Sequence, residues 1–408
     1  MKNDLYNEMK IRKIDWLILS GNRSYTPDII YILGDAALAH PIILIEKNNE
    51  PIIIYEPMEK EEALKTGGRI YSREEILPRS KAMEFNCDKD RQTAFYANLF
   101  EKFSIKGNIL FCGNDEINNS FILHEIVSSF NEINMVSYEH RNIFHQIRQI
   151  KEKHEIDHIR DVSKKTVKIF SGIDNFLSKG VFSGENIKDE TGKNITLGDI
   201  RRLVLKIMAE ENLTFEQVPI IAMGKDGSSP HCRGNDQQEL IQGQSIVMDI
   251  SPKNLLSGYF SDMTRTICVG QPCEHLQETY DTVKKAYELS LKYIRQGIKL
   301  CEPDMEVSSF FRAKGHKVVM DSPGIIEGYT HSLGHGIGLN LHELPRVSAY
   351  NIDDSQIFQP NMVFTIEPGL YYESKNLGVR LEDTFCLNSN GELENLTQYP
   401  MNLQIGTH

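Results

Sequence analysis

Along the first third of the chain, short apolar runs alternate with segments of helical spacing. Residues 16–19 read as a strand, and 42–46 and 51–55 as two more, joined by the polar turn Lys47-Asn48-Asn49-Glu50 in the manner of a hairpin. Residues 90–103 have helical spacing, 108–112 look like a strand, 119–130 are helical, and 134–138 close the series as a short strand. The pattern predicts an α/β domain and places no chemistry on it. The charged segment 148–168 follows, with Ile150, Ile156, Ile159 and Val162 at mostly helical intervals, and its charges read as a solvated helix face. A boundary near Gln149 divides the chain into domains 1–148 and 149–408. Residues 183–198 are polar and rich in turn formers, a surface loop ahead of a helix that starts after Thr196.

Composition narrows the classes. Hydrophobic residues make up 40% and charged residues 25% of 408, as in an ordinary globular protein. The formal charge is -12, and no run of Lys or Arg makes a basic stripe, which argues against nucleic acid as a partner. No window of 18 uninterrupted apolar residues suggests a membrane span, and the mixed-charge start does not resemble a signal peptide. Seven scattered cysteines without a C-x-x-C pair fit a reducing cytoplasm better than a disulfide framework or a thiolate zinc site. Cys268 and Cys386, inside strand patterns, are expected to be core thiols.

Chemistry concentrates between His231 and Glu382. Residues 245–250 (SIVMDI) and 258–269 form two strand patterns around a turn-rich connection, and a hairpin centred between Leu255 and Leu256 sets Asp249 opposite Asp262. Residues 362–367 and 379–387 repeat the arrangement, and a turn at Ser374 and Lys375 sets Glu367 opposite Glu382. Facing carboxylates, roughly 5 Å apart at Cβ, destabilise each other. Four acids held together need either protonation or cations, and two divalent ions balance their charge most simply. Between the hairpins, His331, His335 and His342 follow one another at intervals of four and seven among glycines, a spacing that suits one metal ligand and two substrate-side groups.

The stretches MDISPKNLLSGYFSDMTRT, HSLGHGIGLNLHELP, FTIEPGLY and VRLEDT resemble the pita-bread-fold metallopeptidases: methionine aminopeptidase, aminopeptidase P, prolidase and the metal-free creatinase. The likeness covers residues 149–389 and is nearest to the Xaa-Pro peptidases. It implies a creatinase-like N-terminal α/β domain followed by a pita-bread catalytic domain of mainly antiparallel sheet. It further implies that Asp249, Asp262, His335, Glu367 and Glu382 hold two divalent metal ions, manganese foremost with cobalt or zinc as alternatives, Asp262 and Glu382 bridging. Glu367 would carry protons, His231 and His342 would act at the scissile bond, and His331, His342 and Arg380 would contact substrate. Arg380 has a plainer alternative, that of orienting acidic ligands. Asp383, on the opposite strand face, reads as structural. The Asp249 to Asp262 interval is thirteen, two longer than the family's usual spacing, and two extra residues preserve strand parity.

The expected function is hydrolysis of the bond between an N-terminal residue and proline, by a cytoplasmic homodimer acting on proline-containing peptides. The alternatives are a metal-independent creatinase-like C–N hydrolase and a non-catalytic peptide-binding module on the same fold.

Overall fold

A computed structural model describes residues 2–114, 117–137, 142–350 and 356–406. The chain divides into two compact units, Met1–Ile147 and Arg148–His408. In the first, a six-stranded mixed sheet runs Arg69–Ser72, Ile52–Tyr55, Ile42–Glu46, Trp16–Gly21, Gly107–Asn114, Ile133–Val136. The expected hairpin forms with Ile42 opposite Ile54, and its turn carries Asn48 at a φ of 68°, a left-handed position that Asn tolerates. Helices Asp88–Lys102 and Ile117–Ser128 fall within two residues of their expected bounds. The last expected strand is observed as Ile133–Val136, and Tyr138 lies outside the described residues. Arg69–Ser72 was not legible, because this polar, half-exposed edge strand has no apolar alternation to betray it.

The second unit opens with the 25-residue helix Lys153–Leu177, which buries Ile156, Ile159, Val162, Ile169, Phe170, Ile173 and Leu177 along one stripe. Helix Leu197–Glu210 starts after Thr196 as expected, because the Thr196 hydroxyl and the Asp199 carboxylate cap it reciprocally. The charge run is corrected in part: Arg148, Lys151 and Glu155 are buried rather than solvated. Lys151 Nζ lies 2.6 Å from Glu343 Oε1, and Arg148 Nη2 reaches Asn340 Oδ1 at 2.5 Å, so the two cations anchor the turn that carries His342.

Two larger sheets carry the site. One runs Ile220–Met223, Ser245–Ile250, Met263–Val269, Gln404–Ile405, and the other Glu343–Val347, Gly334–Gly336, Val363–Ile366, Asp383–Leu387, Leu393–Asn395. Within them only Gln404–Ile405 pairs in parallel, so the unit is mainly antiparallel, as expected. A bridge between Thr264 and Glu382 joins the two sheets, and the carboxylates converge there. Cys268 and Cys386 are buried in these strands, and desolvation pushes their thiols up to about 12 and about 11. No helix among the described residues is long and apolar enough to cross a membrane.

Candidate metal centre

The first acid-bearing hairpin has a different register from the expected one. Asp249 faces Thr264, not Asp262, and Asp262 precedes the strand Met263–Val269. The cause lies in the connection. Asn254 Oδ1 accepts the amides of Leu256 and Ser257 at 2.9 and 3.0 Å, and Gly258 takes a φ of 77°, which moves the apex one residue toward the C-terminus. Moving the apex by one shifts the pairing by two, so parity survives and Asp249 becomes a diagonal neighbour of Asp262.

The second hairpin keeps its expected register. Gly369 pairs with Arg380 on one side and Ile366 with Asp383 on the other, which leaves Glu367 facing Glu382 across a gap in the ladder. Pro368 lacks an amide proton, and the flanking amides turn elsewhere: Glu367 N–H donates to Leu333 O at 2.8 Å and Glu382 N–H to Thr264 O at 3.0 Å. The splayed strands thereby bring acids from both sheets to one place.

Ligand atoms of Asp262, His335 and Glu382 all lie within 4.8 Å of one another. His335 Nε2 is 3.7 Å from Asp262 Oδ2 and 3.5 Å from Glu367 Oε1, while its Nδ1 faces Gly336 O at 3.1 Å, which aims Nε2 at the acids. Asp249 and Glu367 stand outside the triple, and Asp249 Oδ2 is 2.5 Å from Arg380 Nη2. Burial, reinforced by neighbouring carboxylates, pushes Asp262 and Glu367 well above the usual carboxylate range and Glu382 up to about 8. Asp262 Oδ1 and Glu382 Oε1 are buried and accept no hydrogen bond among the described residues. Buried polar atoms are ordinarily satisfied, so two orphaned carboxylate oxygens beside an oriented imidazole fit a site for divalent cations.

Substrate-side candidates flank this cluster. Tyr371 OH joins His331 Nε2 at 3.0 Å to Arg380 Nη1 at 2.8 Å. Burial, with Arg380 next, lowers His331 to about 4, and burial with His342 next lowers His335 to about 3, so both are neutral at pH 7. The exposed His342 ring meets His335 edge-on at a centroid distance of 4.3 Å. His231 is exposed in the turn after Pro230, whose carbonyl accepts Arg380 Nη1 at 3.2 Å.

Sequence reasoning passed over Tyr371 and Thr264. Tyr371 had a signal: it stands two positions from Gly369, the residue facing Arg380, and a Cβ on Gly369 would lie 2.5 Å from Tyr371 OH. Glycine there leaves room for the phenol. Thr264 had none until the register was known.

The model of metallopeptidase family M24 matches residues 157–389. The chain is 34% identical over 247 residues to a Xaa-Pro dipeptidase of Pyrococcus horikoshii, a stretch covering 59% of this chain and 65%, just under two thirds, of that curated relative. Among solved structures, the prolidase of Pyrococcus horikoshii superposes with a TM-score of 0.74 at 24% identity, covering 98% of this chain and 99% of that one. An X-Pro aminopeptidase from Thermotoga maritima gives 0.73 at 24% identity, covering 99% of each. Both likenesses extend over the two units and show the same fold.

Proposed function

This chain belongs to metallopeptidase family M24, and from that premise we propose that it hydrolyses the peptide bond between an N-terminal residue and proline. Asp249, Asp262, His335, Glu367 and Glu382 would hold two divalent ions. The observation that carries the reading is the pair of orphaned oxygens, Asp262 Oδ1 and Glu382 Oε1, buried within reach of His335. Bound there, divalent ions would lower the pKa of a water and polarise the carbonyl it attacks.

The chain's own residues supply the rest. Glu367, half-buried beside His335 Nε2, would take the water's proton and return it to the departing amine. His342 and His231, both exposed, face incoming substrate, where an N–H directed at the developing oxyanion contributes electrostatically. The contacts of buried Arg380 with Tyr371 and Asp249 support the plainer of its two expected roles, that of orienting an acidic ligand. A metal-free C–N hydrolase has no use for two orphaned carboxylate oxygens, which disfavours that alternative.

The names of the relatives support both dipeptides and longer peptides as substrates. The resemblance supports manganese as the working ion and a homodimer as the working state, and the scattered cysteines support the cytoplasm as its place. The test is a panel of Xaa-Pro dipeptides and Xaa-Pro-Xaa tripeptides with added Mn²⁺. Cleavage at the bond before proline is expected, and no turnover of either set contradicts the proposal.

A further inference from the structure

The register places three residues in one row across the joined sheets: Asp249 faces Thr264, and Thr264 is bridged to Glu382. Thr264 therefore separates two acids that would repel each other as direct neighbours. Its side chain is fully buried and makes two contacts. Oγ1 donates to Glu382 Oε2 at 2.6 Å and accepts from Arg380 Nε at 3.3 Å. A guanidinium can only donate, so Arg380 gives to Thr264, and Thr264 in turn gives its one proton to Glu382 as the ionised carboxylate a metal ligand must be. Arg380 Nη2 continues the chain to Asp249 at 2.5 Å.

We infer that Thr264 is a positioning residue of the metal centre, an inference that rests on the metal reading above. By occupying Oε2, its hydroxyl fixes the Glu382 carboxylate with Oε1, the orphaned oxygen, turned to the cation. Through Arg380 it ties that orientation to Asp249 on the far strand, so that acids from two separate ribbons are set by one hydroxyl. Partners that orient metal ligands in this way change metal affinity by about 10- to 100-fold when removed.

The test is calorimetric titration of Mn²⁺ into the metal-free full chain of wild type, T264S and T264V, with the visible spectrum of the Co²⁺-loaded proteins and the metal-free Tm alongside. Wild type is expected to bind two ions, T264S to keep their affinity, and T264V to lose about 10- to 100-fold at one of them with an altered Co²⁺ spectrum. If T264V does not fold, T264A takes its place with the same expectation. Equal affinities in T264S and the hydroxyl-free variant overturn the inference while leaving the metal reading standing. A folded wild type that takes up no Mn²⁺ overturns both.

Discussion

Glu382 and Asp383 are consecutive, almost wholly buried, and sent by strand alternation to opposite faces of the chain, yet they are treated in opposite ways. Asp383 is saturated: Oδ1 accepts Arg265 Nη2 at 2.8 Å and Thr397 Oγ1 at 2.9 Å, and Oδ2 accepts Tyr287 OH at 2.5 Å. Arg265 also ties down the Glu382 and Thr264 carbonyls at 2.6 and 2.9 Å. On the other face, Glu382 has one oxygen on Thr264 and one without a hydrogen-bond partner among the described residues, with Asp262 and Glu367 crowding it. A carboxylate whose needs are met by its own chain is structural, and one left unmet beside like charges is built to receive something. The satisfied face holds the backbone still so that the unsatisfied face keeps its shape.

The largest effect should separate the two neighbours. Glu382→Gln is expected to abolish metal uptake and peptidase activity while the metal-free protein melts no lower than wild type, since a neutral amide relieves repulsion; turnover assays and thermal melts check it. Asp383→Ala should do the reverse, destabilising the fold by about 3–5 kcal/mol because Arg265 is left buried without its partner. A urea titration reads that loss, and a normal midpoint would break the contrast. Arg380→Lys is milder. Lysine cannot span Asp249, Tyr371 and Thr264 together, and the loss of a charged hydrogen bond, about 1.5–3 kcal/mol, should lower kcat/KM roughly ten- to hundredfold without unfolding.

The last contrast is a pH slope. Glu382 has a folded-state pKa of about 8 against an ordinary 4.5, so its contribution to stability is full below 4.5 and is lost as pH rises toward about 8. The metal-free Tm is expected to fall across that window, and Glu382→Gln to flatten the fall.

The same contrast explains what was legible in the sequence. The Glu367 and Glu382 pairing followed from period and a turn, because the second hairpin has a constant register on both sides of its gap. Asp249 was displaced by two because an Asn254 side-chain turn, not loop length, sets the apex of the first. Arg148 and Lys151 looked solvated because charge on a helical pattern says nothing of a distant Glu343 that neutralises it. Tyr371 and Thr264 act through contacts across strands, which the order of residues does not contain until the strands are paired.

The central claim is that the unmet oxygens of one face are a metal site. Its most direct test is elemental analysis of the full chain after equilibration with Mn²⁺ and removal of free ion, wild type beside Glu382→Gln. The account predicts about two ions per wild-type chain, in keeping with a two-metal site, and a clear loss in the variant. A folded wild type that retains none, or a variant that retains as much, contradicts it.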